Sequence, residues 1–297
     1  MKPAPFRYAA AQSVEHALAL KAEHGDEARF LAGGQSLIPA MNFRLAQPAV
    51  LIDINPLLEL DYVKPEAAGM RIGARTRYAT VEHSAEVKRL QPLLAEVLPH
   101  IAHPQIRNRG TLCGNLSHAD PASELPAVML ALGARMHARS AGGERWIDAQ
   151  DFFLNLFETA LREDEMLAEI ELPTLPARTG TCFMEVARRQ GDYAMMGVAV
   201  CLTLDAGGRC VQAGIALCNA GPTPMAAPAA AQMLIGNSLD AAVIAAAAAQ
   251  AQDEISPHGN VHASAAYQRH LAGVLTRRAL TIAGARALQT TPQGSPA

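Results

Sequence analysis

The segment Leu31-Ala-Gly-Gly-Gln-Ser-Leu37 is a glycine turn that follows an apolar run, and Arg109-Gly-Thr-Leu-Cys-Gly-Asn115 repeats that arrangement further along the chain. Glycine lacks the Cβ that would keep a ligand away, and it reaches positive φ at little cost. Successive backbone N–H groups in such a turn can converge into an anion-binding concavity. Ser36 and Thr111 set hydroxyls beside the two turns. Two turns of this kind would clamp one diphosphate from two sides. Either turn alone is weak evidence and is more simply read as a tight connection between elements.

Working outward, Phe6–Ala10 is a strand candidate, Ser13 caps a helix running to about His24, and Gly25 stops it. Ala28–Ala32 is the next strand and feeds the Gly33-Gly34 turn, and Val50–Ile54 is a third. This opening invites comparison with a dinucleotide-binding βαβ unit. The glycine turn, however, follows the second strand, and no Gly-x-Gly-x-x-Gly is present. A Rossmann dehydrogenase is disfavoured on that ground.

Beyond Leu57, Met70–Ala74 alternates as a strand, and helices are expected in pieces from Thr80 to Leu98. Asp120-Pro121 reads as the start of a helix ending at Gly133. Arg135–Ser140 and Glu144–Ile147 form a hairpin around Ala141-Gly-Gly, Asp151–Leu156 reads as a short helix, and Met166–Leu172 as a strand. Pro173, Pro176 and Gly180 mark the main boundary. After it come an apolar hairpin, Ala194–Leu204 with Cys210–Cys218, and three helices, Ala226–Leu234, Leu239–Ala251 and Ser264–Ala285. The expected division is 1–56, 57–175, 176–289 and a Pro/Gly/Ser-rich flexible tail, 290–297.

The bulk properties exclude several classes. The 297 residues are half hydrophobic, enough for two or three compact units held by burial. A formal net charge of −3 provides no electrostatic footprint for nucleic acid. No run approaches the roughly 18 apolar residues that span a bilayer, and the N-terminus lacks a signal-peptide shape, so the expected location is cytoplasmic. The five cysteines contain no Cys-x-x-Cys pair and read as free thiols, and the ten scattered histidines read as structural. No nucleophile–base arrangement and no paired catalytic carboxylates emerge, so no catalytic residue and no metal ligand is nominated.

The two glycine blocks, extended to Gln105–Pro126, together with Arg188-Arg-Gln-Gly-Asp-Tyr-Ala194, the segment Ile255–Leu271 and Arg277-Arg-Ala-Leu280, resemble in order the FAD-binding medium subunits of molybdenum hydroxylases, the carbon monoxide dehydrogenase and xanthine dehydrogenase type. The blocks span nearly the whole chain. The resemblance implies an α+β fold: two FAD-binding subdomains of the vanillyl-alcohol-oxidase/PCMH type, then a domain of antiparallel sheet and helices.

It implies FAD as cofactor, with Leu31, Ala32, Gly33, Gly34, Gln35, Ser36 and Leu37 on one side of the diphosphate. Gly110, Thr111, Cys113, Gly114, Asn115 and His118 would line the other. Relatives often carry Gly-Gly where this chain has Cys113-Gly114. Glu124 matches a position used for ribose or ribityl hydroxyls, Leu167 one beside the flavin, and Tyr193 an aromatic near the isoalloxazine. Asp120 has N-capping as its bland alternative, Leu167 and Tyr193 simple packing. Arg188 and Arg189 read as solvated charges.

The implied role is electron transfer within a complex, expected to be a dimer of heterotrimers. A small [2Fe–2S] subunit would deliver electrons taken from substrate at a large molybdopterin subunit, and FAD here would pass them to an external acceptor. The rivals are a free-standing FAD-dependent oxidoreductase of the same fold and a non-redox assembly or binding subunit.

Overall fold

The computed structural model describes residues 2–289, so the 290–297 tail lies outside the described residues. The chain folds as two compact units, neither of them contiguous in sequence. The first comprises 1–84, 103–119 and 135–172, and the second 85–102, 120–134 and 173–297. No helix among the described residues is long and apolar enough to cross a membrane.

The first unit opens with strands β1 (Arg7–Ala10), β2 (Ala28–Leu31) and β3 (Val50–Asp53), which form a parallel sheet in the order β1-β3-β2. The central strand β3 is Val-Leu-Ile-Asp and buried throughout, as expected of a parallel strand covered on both faces. The helix Val14–His24 connects β1 to β2, with the Ser13 hydroxyl accepting from His16 N at 3.1 Å. At its far end buried Lys21 donates from Nζ to Gly25 O (2.7 Å) and Ala28 O (3.0 Å), satisfying carbonyls where the chain turns into β2.

The same unit holds β4 (Val63–Glu66), β5 (Gly69–Gly73), β6 (Arg135–Ser140), β7 (Gly143–Asp148) and a long strand β10 (Met166–Pro173), in the order β4-β5-β10-β6-β7. A small hairpin, β8 (Phe153–Asn155) with β9 (Glu158–Thr159), precedes β10. Here the expected helix Asp151–Leu156 is corrected. Only Ala149–Phe152 is helical, because Phe153 turns into the hairpin, whose backbone also bonds Ala160 N to Phe152 O at 2.8 Å.

The second unit is built on an antiparallel sheet of β11 (Thr179–Val186), β12 (Met196–Leu204), β13 (Cys210–Cys218) and β14 (Met225–Ala226), in that order. Gly180 reads from the sequence as part of the main boundary, so no strand is expected over Thr179–Val186. It is instead the contact point of the long helix Ala265–Gln289: a Cβ there would lie 1.9 Å from Ala283 O. Gly214, on the opposite face by register, admits the helix Glu124–Leu132 in the same way, with Ala131 O 2.2 Å from the missing Cβ. A sheet covered on both faces explains the nearly unbroken apolar run of β12.

Two helix boundaries also moved. The helix expected from Asp120-Pro121 begins at Glu124 with Ser123 as N-cap, because Asp120 Oδ1 accepts from Ala122 N (2.9 Å) in a separate turn. Among the Ala-rich helices, Ala241–Glu254 is capped by Asp240, whose Oδ1 accepts from both Ala242 N and Val243 N at 2.9 Å. Asp240→Ala is expected to destabilise this unit by about 1 kcal/mol, read as a lower urea midpoint. An unchanged midpoint would remove the cap from the account.

Candidate functional site

The first glycine loop leaves the carboxyl end of parallel strand β2, and Asn55 leaves that of its neighbour β3. Ligand crevices in open parallel sheets form at such strand ends. The amides of Ala32, Gly33, Gly34, Gln35 and Ser36 have no acceptor among the described residues. Only Ile38, two residues into the helix Leu37–Asn42, resumes pairing, to Gly34 O at 3.0 Å. Five successive unpaired donors are the groups with which such a turn can bind an anion.

The second block is partly a helix rather than a loop. Leu112–His118 is helical, and the Thr111 hydroxyl caps it by accepting from Gly114 N at 3.1 Å. The Thr111 side chain is therefore held by the helix start that it caps. Its neighbour Gly110 meets Gly33 directly: a Cβ on Gly33 would lie 2.6 Å from Arg109 O and 2.7 Å from Gly110 Cα. The two blocks thus touch backbone to backbone. The missing Cβ of Gly33 makes room for the close approach of the second loop.

Leu31 ends β2, and Leu37 opens the next helix. Cys113 is buried, and burial raises its thiol far above the usual range, so it packs as an apolar group. Gly114 abuts the Thr111 hydroxyl, and Asn115 lies on the same helix. The His118 ring lies 5.0 Å, centroid to centroid, from exposed Phe157 at the β8–β9 turn. Leu167 is buried in β10.

Asp120, Glu124 and Tyr193 belong to the second unit. Glu124 is buried at the start of its helix, and desolvation, with Glu185 and Asp120 nearby, pushes its carboxyl up to about 7 against a partly offsetting His100. His100 Nδ1 pairs with Glu185 at 3.1 Å, so this histidine does have a carboxylate partner, and the bond raises its pKa. Tyr193 is an exposed residue whose hydroxyl faces Asp120. Local desolvation, then the Asp120 and Glu124 charges, raises the phenol. Arg188 contacts His262 at 3.2 Å rather than standing alone in solvent. All five cysteines are free.

Sequence reasoning missed Asn55 and Arg77. Asn55 Nδ2 donates to Ala32 O (2.9 Å) and Asp53 Oδ1 (2.5 Å), and Arg77 bonds Asn55 Oδ1 and Arg109 O. A polar residue at the carboxyl end of a parallel strand is the one signal that points to Asn55. Nothing local points to Arg77.

Residues 4–175 match the family described as FAD binding domain in molybdopterin dehydrogenase, and residues 181–283 match the CO dehydrogenase flavoprotein C-terminal domain. The alpha subunit of the 6-hydroxypseudooxynicotine dehydrogenase complex of Paenarthrobacter nicotinovorans is 42% identical over 290 residues, 98% of each chain. The carbon monoxide dehydrogenase medium chain of Afipia carboxidovorans is 37% identical, covering 97% of this chain and 99% of that one. The solved carbon monoxide dehydrogenase of Hydrogenophaga pseudoflava superposes with a TM-score of 0.94 at 39% identity, covering 96% of this chain and 99% of that chain. The chain belongs to the FAD-binding subunits of the molybdenum hydroxylases. It is a flavoprotein subunit of an oxidoreductase complex, with FAD as its cofactor.

Proposed function

We propose that the chain is the flavin relay between a small subunit carrying [2Fe–2S] clusters and an external electron acceptor. Substrate is oxidised at a large molybdopterin subunit, in a cytoplasmic dimer of heterotrimers. The observation that carries the chain's own part is the run of unpaired amides from Ala32 to Ser36, packed through Gly33 against Gly110. The names of the relatives, medium chain and subunit alpha, support membership of a larger assembly.

Bound FAD supplies the electron-carrying chemistry, and the protein binds and orients it. The amides of Ala32, Gly33, Gly34, Gln35 and Ser36 would hold the diphosphate, with Leu31 and Leu37 bounding that loop. Gly110, Thr111, Cys113, Gly114, Asn115 and His118 form the second wall, and Thr111 keeps the helix start in register by its cap. Leu167, Asp120, Glu124 and Tyr193 are proposed as further flavin contacts on the family pattern.

Affinity-tagged chain expressed with its natural partners is expected to purify yellow, with one FAD per chain and two further polypeptides that bring iron and molybdenum. A yellow chain that purifies alone and turns over a substrate unaided would refute the relay. A colourless chain in an intact complex would refute the flavin site.

A further inference from the structure

Around the two loops, donors and acceptors are sorted. Ala32 O is taken by Asn55 Nδ2 at 2.9 Å, Gly33 O by Gln35 Nε2 at 3.2 Å, and Gly110 O by Tyr78 N at 3.0 Å. Arg109 O is taken by one Nη of Arg77, and the other Nη of the same guanidinium holds Asn55 Oδ1. Asn55 is itself fixed by Asp53, whose Oδ1 accepts from Asn55 N at 2.9 Å, while Tyr8 Oη holds Asp53 Oδ2 at 2.5 Å. The carbonyls of Ala32, Gly33, Arg109 and Gly110, which lie where the two loops meet, are thereby occupied from within the protein. The N–H groups from Ala32 to Ser36 are left with no acceptor among the described residues.

An anion entering where the loops meet would find these four carbonyls already engaged and the N–H groups free. A free carbonyl would point partial negative charge at a diphosphate, and an amide oxygen without a partner would compete for the loop N–H groups. Arg109 O is also the atom that a side chain on Gly33 would strike at 2.6 Å. The guanidinium therefore grips the second loop at the point where it meets the first. The backbone of Arg77 also forms an isolated antiparallel bridge with Thr111, so backbone and side chain hold the same corner.

We propose that Arg77, acting through Asn55, is a positioning residue that clasps the two loops in the donor-outward arrangement needed to grip the diphosphate of FAD. The proposal rests on the reading that these two loops hold the dinucleotide. It does not require Arg77 to touch a phosphate.

The geometry explains the choice of arginine. A planar fork reaches two oxygens on different loops at once, whereas a lysine ammonium is a compact point charge on a flexible stem. Electrostatics alone would not favour the position. Burial, then the neighbouring Arg75 and Arg109 charges, pulls the Arg77 pKa below the ordinary guanidinium range, with Asp61 and Asp53 as the nearest counter-charges. A diphosphate supplies negative charge beside this cationic group, so weaker binding at high salt accompanies the clasp without defining it.

The test uses the full-length chain, stripped of flavin and titrated with FAD by fluorescence quenching, as wild type, Arg77→Met, Arg77→Lys, Asn55→Ala and the double Arg77→Met/Asn55→Ala. Unfolding midpoints of the flavin-free forms are measured alongside. Arg77→Met and Arg77→Lys are each expected to weaken FAD binding by roughly tenfold to a hundredfold, the effect of losing charge-assisted hydrogen bonds. The double variant is expected to be little worse than the weaker single, because both changes break one bridge.

Wild-type affinity in Arg77→Lys would overturn the proposal, since charge alone would then suffice. Strict additivity in the double variant would overturn it, and so would a loss of FAD that only tracks a lowered midpoint. Gly33→Ala separates the two levels of the argument. If that variant keeps FAD, the loops are not the site and the underlying reading falls. If it loses FAD while the Arg77 variants keep theirs, only the clasp falls.

Discussion

Gly33→Ala is expected to leave the chain folded but nearly empty of flavin, with FAD affinity down roughly a hundredfold or more, about 3 kcal/mol. The added methyl would sit 2.6 Å from Arg109 O, 2.7 Å from Gly110 Cα and 3.1 Å from Thr111 N, all of them backbone. Backbone on a capped helix start cannot swing aside as a side-chain end can, so the two loops must separate. Separation moves the Ala32–Ser36 amides away from the second wall and strains the clasp at Arg109 O.

Two neighbours calibrate the effect. A Cβ at Gly34 would meet the side-chain ends of Leu31 (3.1 Å) and Ile38 (3.2 Å), and φ there is +72°, so Gly34→Ala is strained without forcing the loops apart. Gly25→Ala has φ +47° and open space around the new methyl, so it is expected to cost about 1 kcal/mol of stability and no flavin. Equilibrium titration of FAD into the three flavin-free variants ranks them Gly33, Gly34, Gly25. Wild-type FAD affinity in Gly33→Ala would show that the contact between the loops is irrelevant to binding.

Much of this arrangement could be read from the residues before any coordinates. The opening strands, the helix capped by Ser13, the hairpins Arg135–Asp148 and Met196–Cys218 and the Ala-rich helices follow from local pattern, and all are present. Both glycine blocks stood out because two turn signals with small polar residues carry local meaning. What could not be read depends on distant partners. Gly180 reads as a boundary until the helix Ala265–Gln289 lies on it, and the part of Gly33 in holding the two loops together shows only when Arg109 O faces it. Asp120 is a good cap by itself, yet its own turn to Ala122 moves the helix start to Glu124. The second unit gathers 85–102 and 120–134 from the middle of the chain, which no local periodicity announces. Asn55 and Arg77 were missed for the same reason, since their chemistry lies in which carbonyls they reach.

Glu124→Gln is expected to make the chain more stable at pH 8 while weakening its hold on FAD. The Glu124 carboxyl ionises near 7 in the folded protein against an ordinary 4.5, chiefly because it is desolvated. A carboxyl whose folded pKa is raised contributes stability that is complete below about 4.5 and is lost as pH rises through about 7. A difference of that size corresponds to roughly 3 kcal/mol. Wild type should therefore lose about that much between pH 4.5 and pH 8 through this one group. Glutamine has nearly the same shape and no charge, so the variant should lack that part of the decline and gain up to about 3 kcal/mol over wild type at pH 8.

His100 adds a slope of the same sign, since its raised pKa favours the folded state until the proton leaves. For that reason the informative quantity is the difference between wild type and variant in urea unfolding at the two pH values. Parallel declines would mean that Glu124 is ionised in the fold without penalty. Retaining a buried acid at such a cost is common where a ligand needs it, and Glu124 is one of the flavin contacts proposed above. FAD titration decides between the two roles. A more stable variant with weaker FAD binding is the stability–function trade-off expected of a site residue, whereas a more stable variant with unchanged affinity would assign Glu124 to packing alone.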